Sequence, residues 1–424
     1  MRDENIILLE SIRAGVPTRN LISTLPDLRN DLIQLINKDL EQLSKGNSAK
    51  GRIIWGDYGQ GKTHFLKVVE KLILEQGFAV SFLTLSRDLG LNKLDYLFPA
   101  LASHVLTNET NIPGILNQLI DCRIPPDSME ELDKASRRIA HPLPWLIMQS
   151  LLSYERDLIL LYNTLMGKKE NIVRAKQIVK SNYPYDYQKM PKFNQKEHLK
   201  SFIEFFPYLL QSLKYKGWVI LIDELEILGR LGSVSRLNSY LNLSWLMNLS
   251  EEHQLPIYTL AASAKTLQED VFYGKKKHDA IDMPNLARER SGVQAEEIVR
   301  NLFAQSIGEQ GLVLKPINPE NYTPLLNKLL ELHYSAIEWK YKIPDNLITE
   351  TLKHLDPSNK PLRQVIRMFI ETLDIFSEYG TYPEKFKENL LEEYDLDDEL
   401  PEPQVSSTSQ AGFTETSLKD MFDN

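Results

Sequence analysis

The sequence has 424 residues, 42% of them hydrophobic, so it is long enough to bury a large core and to form two or three structural units. Its single cysteine, Cys122, excludes a disulfide framework, and the lack of a signal peptide or a long apolar run predicts a soluble cytoplasmic protein with no membrane contact. The formal charge of −9 lies in residues 391–424, so the rest of the chain is neutral and a nucleic-acid partner is not excluded.

Residues 1–50 predict a helical N-terminal segment. Apolar side chains recur at helical spacing between Ile6 and Ile12 and again between Leu28 and Leu40. A Gly-Val-Pro stretch at residues 15–17 predicts a turn between the two helices. The polar stretch that follows leads into the first predicted strand.

A phosphate-binding loop is predicted next. Residues 56–63 read GDYGQGKT and match the G-x-x-x-x-G-K-[ST] pattern at every fixed position. The apolar residues 53–55 suit a buried strand, and the residues after Thr63 have helical spacing. A chance glycine turn before a helix is the alternative, but strand, loop and helix arrive in the order that the motif needs. The predicted nucleotide contacts are Gly56, Asp57, Tyr58, Gly59, Gln60, Gly61, Lys62, Thr63 and His64.

The residue types of this loop suit a nucleoside triphosphate with Mg²⁺. Glycines let the backbone N–H groups wrap the phosphates closely, and the start of the following helix favours an anion. Lys62 is expected to reach the β- and γ-phosphates, and Thr63 to offer its hydroxyl to Mg²⁺. The sequence therefore predicts ATP and Mg²⁺ as cofactors.

A helical insertion is predicted at about residues 96–216, after a second buried strand at residues 79–85. Within it, residues 168–200 contain nine Lys or Arg and only three acids. Tyr183, Tyr185, Tyr187 and Phe193 lie among these charges, and cations with aromatic rings can hold phosphates and exposed bases. The segment is our candidate DNA surface, with a solvated helical face as the alternative. Residues 275–277, three consecutive lysines, are a weaker candidate.

Two acids end the next predicted strand. Residues 217–222 are apolar apart from their first glycine, and Asp223 and Glu224 follow them. The carboxyl end of a buried parallel strand lies beside a phosphate loop in such folds, so we expect Asp223 to hold Mg²⁺ and Glu224 to polarise the attacking water. A strand that ends in two acids is often structural by itself. The loop upstream makes the catalytic interpretation the better one.

The rest of the chain predicts one more strand and then helices. The strand covers residues 256–262 and completes an ATPase core at residues 51–290. Helical spacing after residue 291 predicts a lid domain at residues 291–390, in which Arg363 and Arg367 lie one turn apart and can lean over the nucleotide. Ordinary surface arginines are the alternative. Residues 391–424 are acidic and rich in Pro and Ser, which predicts a disordered tail.

Four stretches together resemble a known family. They are SIRAGVPTRNLISTL, GDYGQGKTHFL, LIDELEIL and PLRQVIRMFIETLDIF. The chain resembles the AAA+ ATPases of the origin-recognition and initiator clade, and more closely the BREX-type (BrxD-like) ATP-binding proteins of defence islands. One departure is Leu362, which stands between Pro361 and Arg363 where the family is expected to place Pro and Arg side by side.

The resemblance implies an α/β fold of the AAA+ P-loop NTPase type, with a parallel sheet, a large helical insertion and a C-terminal helical lid. It also implies a homo-oligomer that acts on DNA or a DNA-processing complex, often beside a helicase. In such ATPases a polar residue after the third strand senses the γ-phosphate; Ser263 has that place here, and a helix N-cap is its equal alternative. An arginine from the neighbouring subunit usually completes the site. The candidates are Arg236, Arg288 and Arg290.

Two functions remain open on the sequence. The first is an ATPase that assembles with itself and engages DNA. The second is a nucleotide-dependent scaffold that hydrolyses ATP slowly and recruits an effector. Intact Lys62, Thr63, Asp223 and Glu224 favour hydrolysis.

Overall fold

A computed structural model describes residues 2–14, 29–109, 113–121, 124–153, 157–308, 310–315, 322–355, 360 and 362–381. The predicted acidic tail, Cys122, Pro361 and the predicted turn at residues 15–17 lie outside these residues.

The centre of the described chain is a six-stranded sheet with the order β3-β2-β4-β5-β1-β6. All neighbouring pairs are parallel except β2 and β3. Apolar runs form the long strands because both faces of the sheet are covered. The strands are β1 Arg52–Gly56, β2 Ala79–Thr84, β3 Val105–Leu106, β4 Trp218–Asp223, β5 Ile257–Ala264 and β6 Gly311–Val313.

The mixed α/β fold with a mostly parallel sheet is confirmed, and the four predicted strands are present within two residues of their expected ends. β3 and β6 were not predicted from the sequence. These strands have two and three residues, too few for an apolar period to show.

Helices make up most of the remaining described chain. Between β2 and β4 the described chain is mostly helical, with β3 as its strand. The α-helices are Arg2–Ala14, Asn30–Ser44, Lys62–Glu75, Leu94–Ser103, Leu116–Asp121, Pro126–Ser136, Leu143–Ser153, Leu158–Leu165, Ile172–Asn182, Pro184–Lys189, Gln195–Ser212, Ser233–His253, Asp279–Ser291, Val293–Ile307, Tyr322–Ala336, Leu347–Leu355 and Leu362–Tyr379.

Different helices pack on the two faces of the sheet. Asn30–Ser44 and the phosphate-loop helix, Lys62–Glu75, pack their apolar sides on one face. Ser233–His253 and helices of the insertion pack on the other face, where Phe206 lies against Trp218 with ring centroids 4.7 Å apart. Because this apolar cluster is continuous, the insertion is part of the main core and not a separate appendage.

The chain after residue 291 is less uniform than the predicted helical lid. Val293–Ile307 packs in the main core, and β6 then joins the sheet beside β1. A second apolar cluster begins with Tyr322–Ala336 and includes Leu362–Tyr379. The sheet therefore extends past the predicted boundary at residue 290.

The predicted N-terminal segment is divided between these two clusters. Leu8, Leu9 and Ile12 of the first helix pack among the C-terminal helices, whereas Asn30–Ser44 packs on the sheet. The first helix is thus part of the second apolar cluster, because its apolar side packs against the C-terminal helices. In the part of the chain that the structure describes, no helix has both the length and the apolar character needed to cross a membrane.

Candidate functional site

The predicted loop and the predicted acids meet at one edge of the sheet. The phosphate loop follows β1, and Asp223 ends β4. Between them lies β5, whose Ala264 pairs in register with Gly56. The carboxyl ends of these three parallel strands therefore surround one site, as expected for a ligand of a parallel sheet.

The loop backbone depends on two of its glycines. Gly59 and Gly61 have φ values of 76° and 85°, in the left-handed region that side chains other than glycine rarely adopt. Gly61 immediately precedes the phosphate-loop helix, so the first N–H groups of that helix point toward the loop. The side chain of Gln60 closes the turn by donating to the Asp57 carboxylate at 2.7 Å.

Lys62 is buried within the site. Its Nζ donates to the carbonyl of Gly56 at 3.3 Å and to that of Asp57 at 3.5 Å. It also lies 3.9 Å from the carboxylate of Glu226, which follows the acid strand. The Lys62 ammonium is thus held at the loop, where the phosphates of a nucleotide would bind.

Thr63 and Asp223 are joined directly. The Thr63 hydroxyl donates to Asp223 Oδ2 at 2.6 Å, and the Asp223 side chain is buried. A hydroxyl and a carboxylate are hard oxygen ligands, which suit Mg²⁺. Among the described residues no group of three or more His, Cys, Asp or Glu could hold a metal by itself. This donor set fits an ion that takes its other ligands from phosphates and water.

Glu224 lies next to this pair in an unusual conformation. Its φ is 61°, a left-handed value for a residue other than glycine, which often marks a functional position. Burial, followed by the charges of Glu226 and Asp223, raises the pKa of Glu224 to about 7, while Lys62 and Arg230 oppose the shift. A carboxyl group with this pKa can exchange a proton near neutral pH.

Ser263 lies inside β5 and is fully buried. Its hydroxyl donates to the carbonyl of Ala264 at 3.2 Å. The helix N-cap alternative is wrong, because the residue is extended within the strand. The next lysine, Lys265, was missed by the sequence analysis; its Nζ donates to Asp57 in the phosphate loop at 2.8 Å.

The start of the C-terminal helix touches the loop. The backbone N–H of Arg363 donates to the carbonyl of Gly59 at 3.1 Å. One turn later, Arg367 donates from Nε to the carbonyl of Arg13 at 3.1 Å, which links this helix to the first helix of the chain. The first turn of this helix therefore contacts the phosphate loop through its backbone, and the side chain of Arg367 binds the N-terminal helix.

Arg29 is a site residue that sequence reasoning missed. It is buried, and its guanidinium donates to the carbonyl of Gln60 at 2.6 Å. Burial and then the charge of Arg29 lower the pKa of His64 to about 4, so this histidine is neutral at pH 7. No local pattern marks Arg29, because it lies well upstream of the loop and reaches it only through the fold.

The candidate arginines for a neighbouring subunit differ in their surroundings. Arg236 is buried and forms a two-pronged ion pair with Asp279 at 2.8 and 3.0 Å, and Tyr240 donates to the same carboxylate. This arrangement gives Arg236 a structural role within its own chain. Arg288 is 65% exposed and lies 3.7 Å from Glu296, and Arg290 is also exposed. These two remain accessible to a second subunit.

The aromatic residues of the basic segment are mostly used inside the fold. Tyr183, Tyr187 and Phe193 are partly buried against the main core. Tyr185 is 65% exposed and lies under Lys189, whose Nζ is 3.8 Å from the ring centroid. The segment thus offers exposed cations and one exposed ring among the four. In the weaker lysine candidate, Lys277 is held by the carbonyl of Gly229 at 2.7 Å.

A comparison with protein families shows what the chain is similar to. The family model described as "BREX system ATP-binding protein BrxC/D" matches residues 2–136 and 192–390, which is more than half of the chain. The match includes the phosphate loop, the acid strand and Arg29, and it leaves out residues 137–191, which hold most of the basic segment. No curated protein matches the chain.

Proposed function

The chain belongs to the family of BREX system ATP-binding proteins BrxC/D, and we propose that it hydrolyses the ATP that it binds, with Mg²⁺ as cofactor. The observation that carries this proposal is the meeting of Lys62, Thr63, Asp223 and Glu224 at one sheet edge. Each has the chemistry that phosphoryl transfer to water needs: a cation for the phosphates, oxygen ligands for the metal and a carboxylate for the attacking water.

Each residue has a separate task in this reaction. Lys62 leaves the loop carbonyls and binds the β- and γ-phosphates. Thr63 and Asp223 would hold Mg²⁺, which would supply positive charge to neutralise the charge that develops on the phosphates. Glu224 orients the water and accepts its proton, which requires the ionised carboxylate. Ser263, near the end of β5, is the proposed sensor of the γ-phosphate.

We also propose that the fold is of the AAA+ type. Support comes from the strand order, because β5 lies between the phosphate-loop strand and the acid strand. Further support comes from the C-terminal helix, whose first turn contacts the loop through Arg363. In this proposal the protein assembles with itself, and the exposed Arg288 or Arg290 of one subunit stabilises the reacting phosphate bound by the next.

The proposed setting is an anti-phage BREX system in the cytoplasm, in which the protein acts on DNA or on a DNA-processing complex beside a helicase. The exposed cations of residues 168–200, among them Lys180, Lys189 and Lys192, support the DNA contact. The segment lies mostly outside the family match, so this contact is a property proposed for this chain.

A second candidate function is a scaffold that binds ATP tightly, hydrolyses it slowly and recruits an effector. The raised pKa of Glu224 favours it, because a carboxyl with a pKa of about 7 is only partly ionised at neutral pH. Above that pH the Glu224 carboxyl is mostly ionised and can accept a proton. An ATPase should then hydrolyse ATP faster, whereas a scaffold should stay slow, so the pH dependence of turnover distinguishes the two functions.

The test is ATP turnover and ATP binding by the wild type and three variants, each with and without DNA. We expect Lys62→Ala to lose binding, because the lysine contacts the phosphates before the reaction starts. Glu224→Gln is expected to bind ATP and to turn it over at least about 100-fold more slowly, since the carboxylate acts only on the water. Glu269→Gln, an exposed glutamate after β5, is the matched control and should behave like the wild type. Wild-type turnover by Glu224→Gln would disprove the catalytic assignment.

A further inference from the structure

Glu226 connects three parts of the site without being one of the motif residues. It lies in a short 3₁₀ helix, Leu225–Arg230, directly after the acid strand. One carboxylate oxygen, Oε2, accepts the backbone N–H of Ala264 at 3.0 Å. The other, Oε1, lies 3.9 Å from Nζ of Lys62.

The first contact fixes where the carboxylate lies. Ala264 is the last residue of β5 and pairs in register with Gly56 at the start of the phosphate loop. The backbone at this point is rigid, because β5 is buried over its whole length. Glu226 is therefore held beside the loop by the sheet, and not by its charge partner.

The second contact places a negative charge beside the ammonium that a triphosphate needs. The side chains of Lys62 and Glu226 are only 9% and 16% exposed, so solvent screens their interaction poorly. A γ-phosphate that reaches Lys62 comes close to the Glu226 carboxylate, and two like charges at such a distance repel. The Lys62 ammonium therefore cannot pair equally well with the Glu226 carboxylate and with the γ-phosphate.

We propose that Glu226 is a positioning residue that holds Lys62 in the arrangement seen here and opposes the terminal phosphate of ATP. This inference rests on the proposed function, since it assigns a further residue to the same site. Glu226 lowers the affinity for a triphosphate more than the affinity for a diphosphate, because only the former adds the third phosphate. The residue thereby reduces the difference between ATP and ADP binding and helps the site to exchange nucleotides.

The experiment compares nucleotide affinities of the full-length wild type and Glu226→Gln. The glutamine keeps an oxygen that can accept the Ala264 N–H and removes only the charge. Calorimetric titrations use a non-hydrolysable imido analogue of ATP and, separately, ADP, both with Mg²⁺. We expect the variant to bind the analogue about tenfold more tightly and ADP less than about threefold more tightly.

Salt provides the readout that a purely structural role does not change. The gain in analogue affinity should shrink as KCl rises from about 50 mM to about 500 mM, because the removed effect is electrostatic. Glu269→Gln is the control for loss of an exposed carboxylate after β5 and should show no gain. Glu226→Ser, a second neutral variant, repeats the measurement if the glutamine disturbs folding.

The outcomes separate this inference from the proposed function. Wild-type protein that binds neither nucleotide would overturn both. If the wild type binds the analogue and Lys62→Ala does not, the nucleotide site is supported. Under that condition, unchanged or weaker binding by both neutral variants would overturn the role of Glu226 alone.

Discussion

Thr63 donates a hydrogen bond of 2.6 Å to Asp223, although 160 positions separate the two residues in the chain. The pair joins the start of the phosphate-loop helix to the end of the acid strand. Both side chains offer oxygen atoms, so in the proposed reaction the contact would bring two ligands of one Mg²⁺ together before the ion binds.

The first prediction concerns this pair. Thr63→Val keeps the shape of the side chain and removes the hydroxyl, so it leaves the buried Asp223 without this donor. We expect turnover of ATP to need about 10- to 100-fold more Mg²⁺, the usual cost of disturbing a metal ligand or its support. Titration of Mg²⁺ at fixed ATP measures this, and Thr63→Ser, which keeps the hydroxyl, should retain most of the wild-type dependence. An unchanged Mg²⁺ requirement in Thr63→Val would remove Thr63 from the metal site.

Arg29 is predicted to stabilise the phosphate loop. Arg29→Ala removes a buried, charged donor from the carbonyl of Gln60, which is expected to reduce the free energy of unfolding by about 1.5–3 kcal/mol. Nucleotide affinity should fall as well, because the loop loses a contact that holds its conformation. Denaturant unfolding and ATP titration measure the two effects. Arg300→Ala, which changes an exposed arginine paired with Glu296, is the control; equal effects of the two changes would contradict a specific role for Arg29.

The pKa of Glu224 predicts how activity depends on pH. Because the ionised carboxylate is the base, kcat/KM should rise with pH and level off above a pKa of about 7, which belongs to the free enzyme. A profile that is flat between about pH 6 and pH 8 would contradict the assignment of Glu224 as the base. Rates at saturating ATP are recorded separately, since bound Mg²⁺ changes the charge beside this residue.

The same shift predicts a change of stability without nucleotide. The pKa of Glu224 is raised from 4.5, so the folded state keeps its proton where the unfolded state loses it, and stability falls as pH rises from about 4.5 to about 7. Glu224→Gln removes this loss. In thermal unfolding, the stability of Glu224→Gln relative to the wild type should therefore increase across that interval. Above it, the difference should stay constant. His64 acts over an overlapping range with the opposite sign, because its lowered pKa removes stability as pH falls from 6.5 to about 4.

Substitutions of Arg236 and Arg288 are predicted to have different effects on stability and on turnover. Arg236→Leu leaves the buried Asp279 without its partner, which typically costs about 3–5 kcal/mol of unfolding free energy. Arg288→Ala changes an exposed side chain and should alter stability by less than about 0.5 kcal/mol. If Arg288 acts across subunits, its loss leaves ATP binding intact and lowers turnover by about 1000-fold. Mixing Arg288→Ala with Lys62→Ala subunits should restore part of the activity; the absence of rescue here and for Arg290→Ala would count against a shared site.

The basic segment is predicted to contact DNA through exposed lysines. Changing Lys180, Lys189 and Lys192 to Glu should weaken DNA binding and reduce the slope of log affinity against log salt by about 2 to 3, because fewer counterions are released. The control changes three exposed lysines elsewhere, Lys38, Lys45 and Lys71, to Glu, which gives the same net charge. Binding is measured over a range of salt concentrations, with ATP binding as a check of folding. Equal effects of the two triple variants would mean that only net charge matters and that the segment is not the surface.

Local patterns predicted much of the fold. Apolar runs marked the four long strands, and helical spacing marked Lys62–Glu75, because burial of one stripe or of both faces imposes a period on the residues themselves. The resemblance to BREX-type ATP-binding proteins is confirmed by the family match. The short strands were not predicted. β6, for example, is stabilised by pairing with β1 and needs no apolar run of its own.

The limits of local patterns are clearest at Arg236, Arg29 and Glu226. Arg236 stands at a position that the family resemblance associates with a neighbouring subunit, yet its guanidinium lies buried against Asp279. Arg29 matches no motif, and Glu226 lies within LIDELEIL but is given no role by the sequence analysis. Arg29 contacts the phosphate loop, and Glu226 lies 3.9 Å from its lysine. Such contacts depend on side chains that arrive from distant parts of the chain.

The sequence by itself predicted the chemistry that we propose for the site, because GDYGQGKT and the two acids after an apolar strand are local patterns that can be recognised without the fold. Only the tertiary structure decided which charges surround that chemistry. The distance between Lys62 and Glu226, the burial that raises the pKa of Glu224 and the bond from Arg29 to the loop all result from packing between elements far apart in the chain. Electrostatic energies depend on separation and on solvent exposure, and neither quantity exists until the chain has folded.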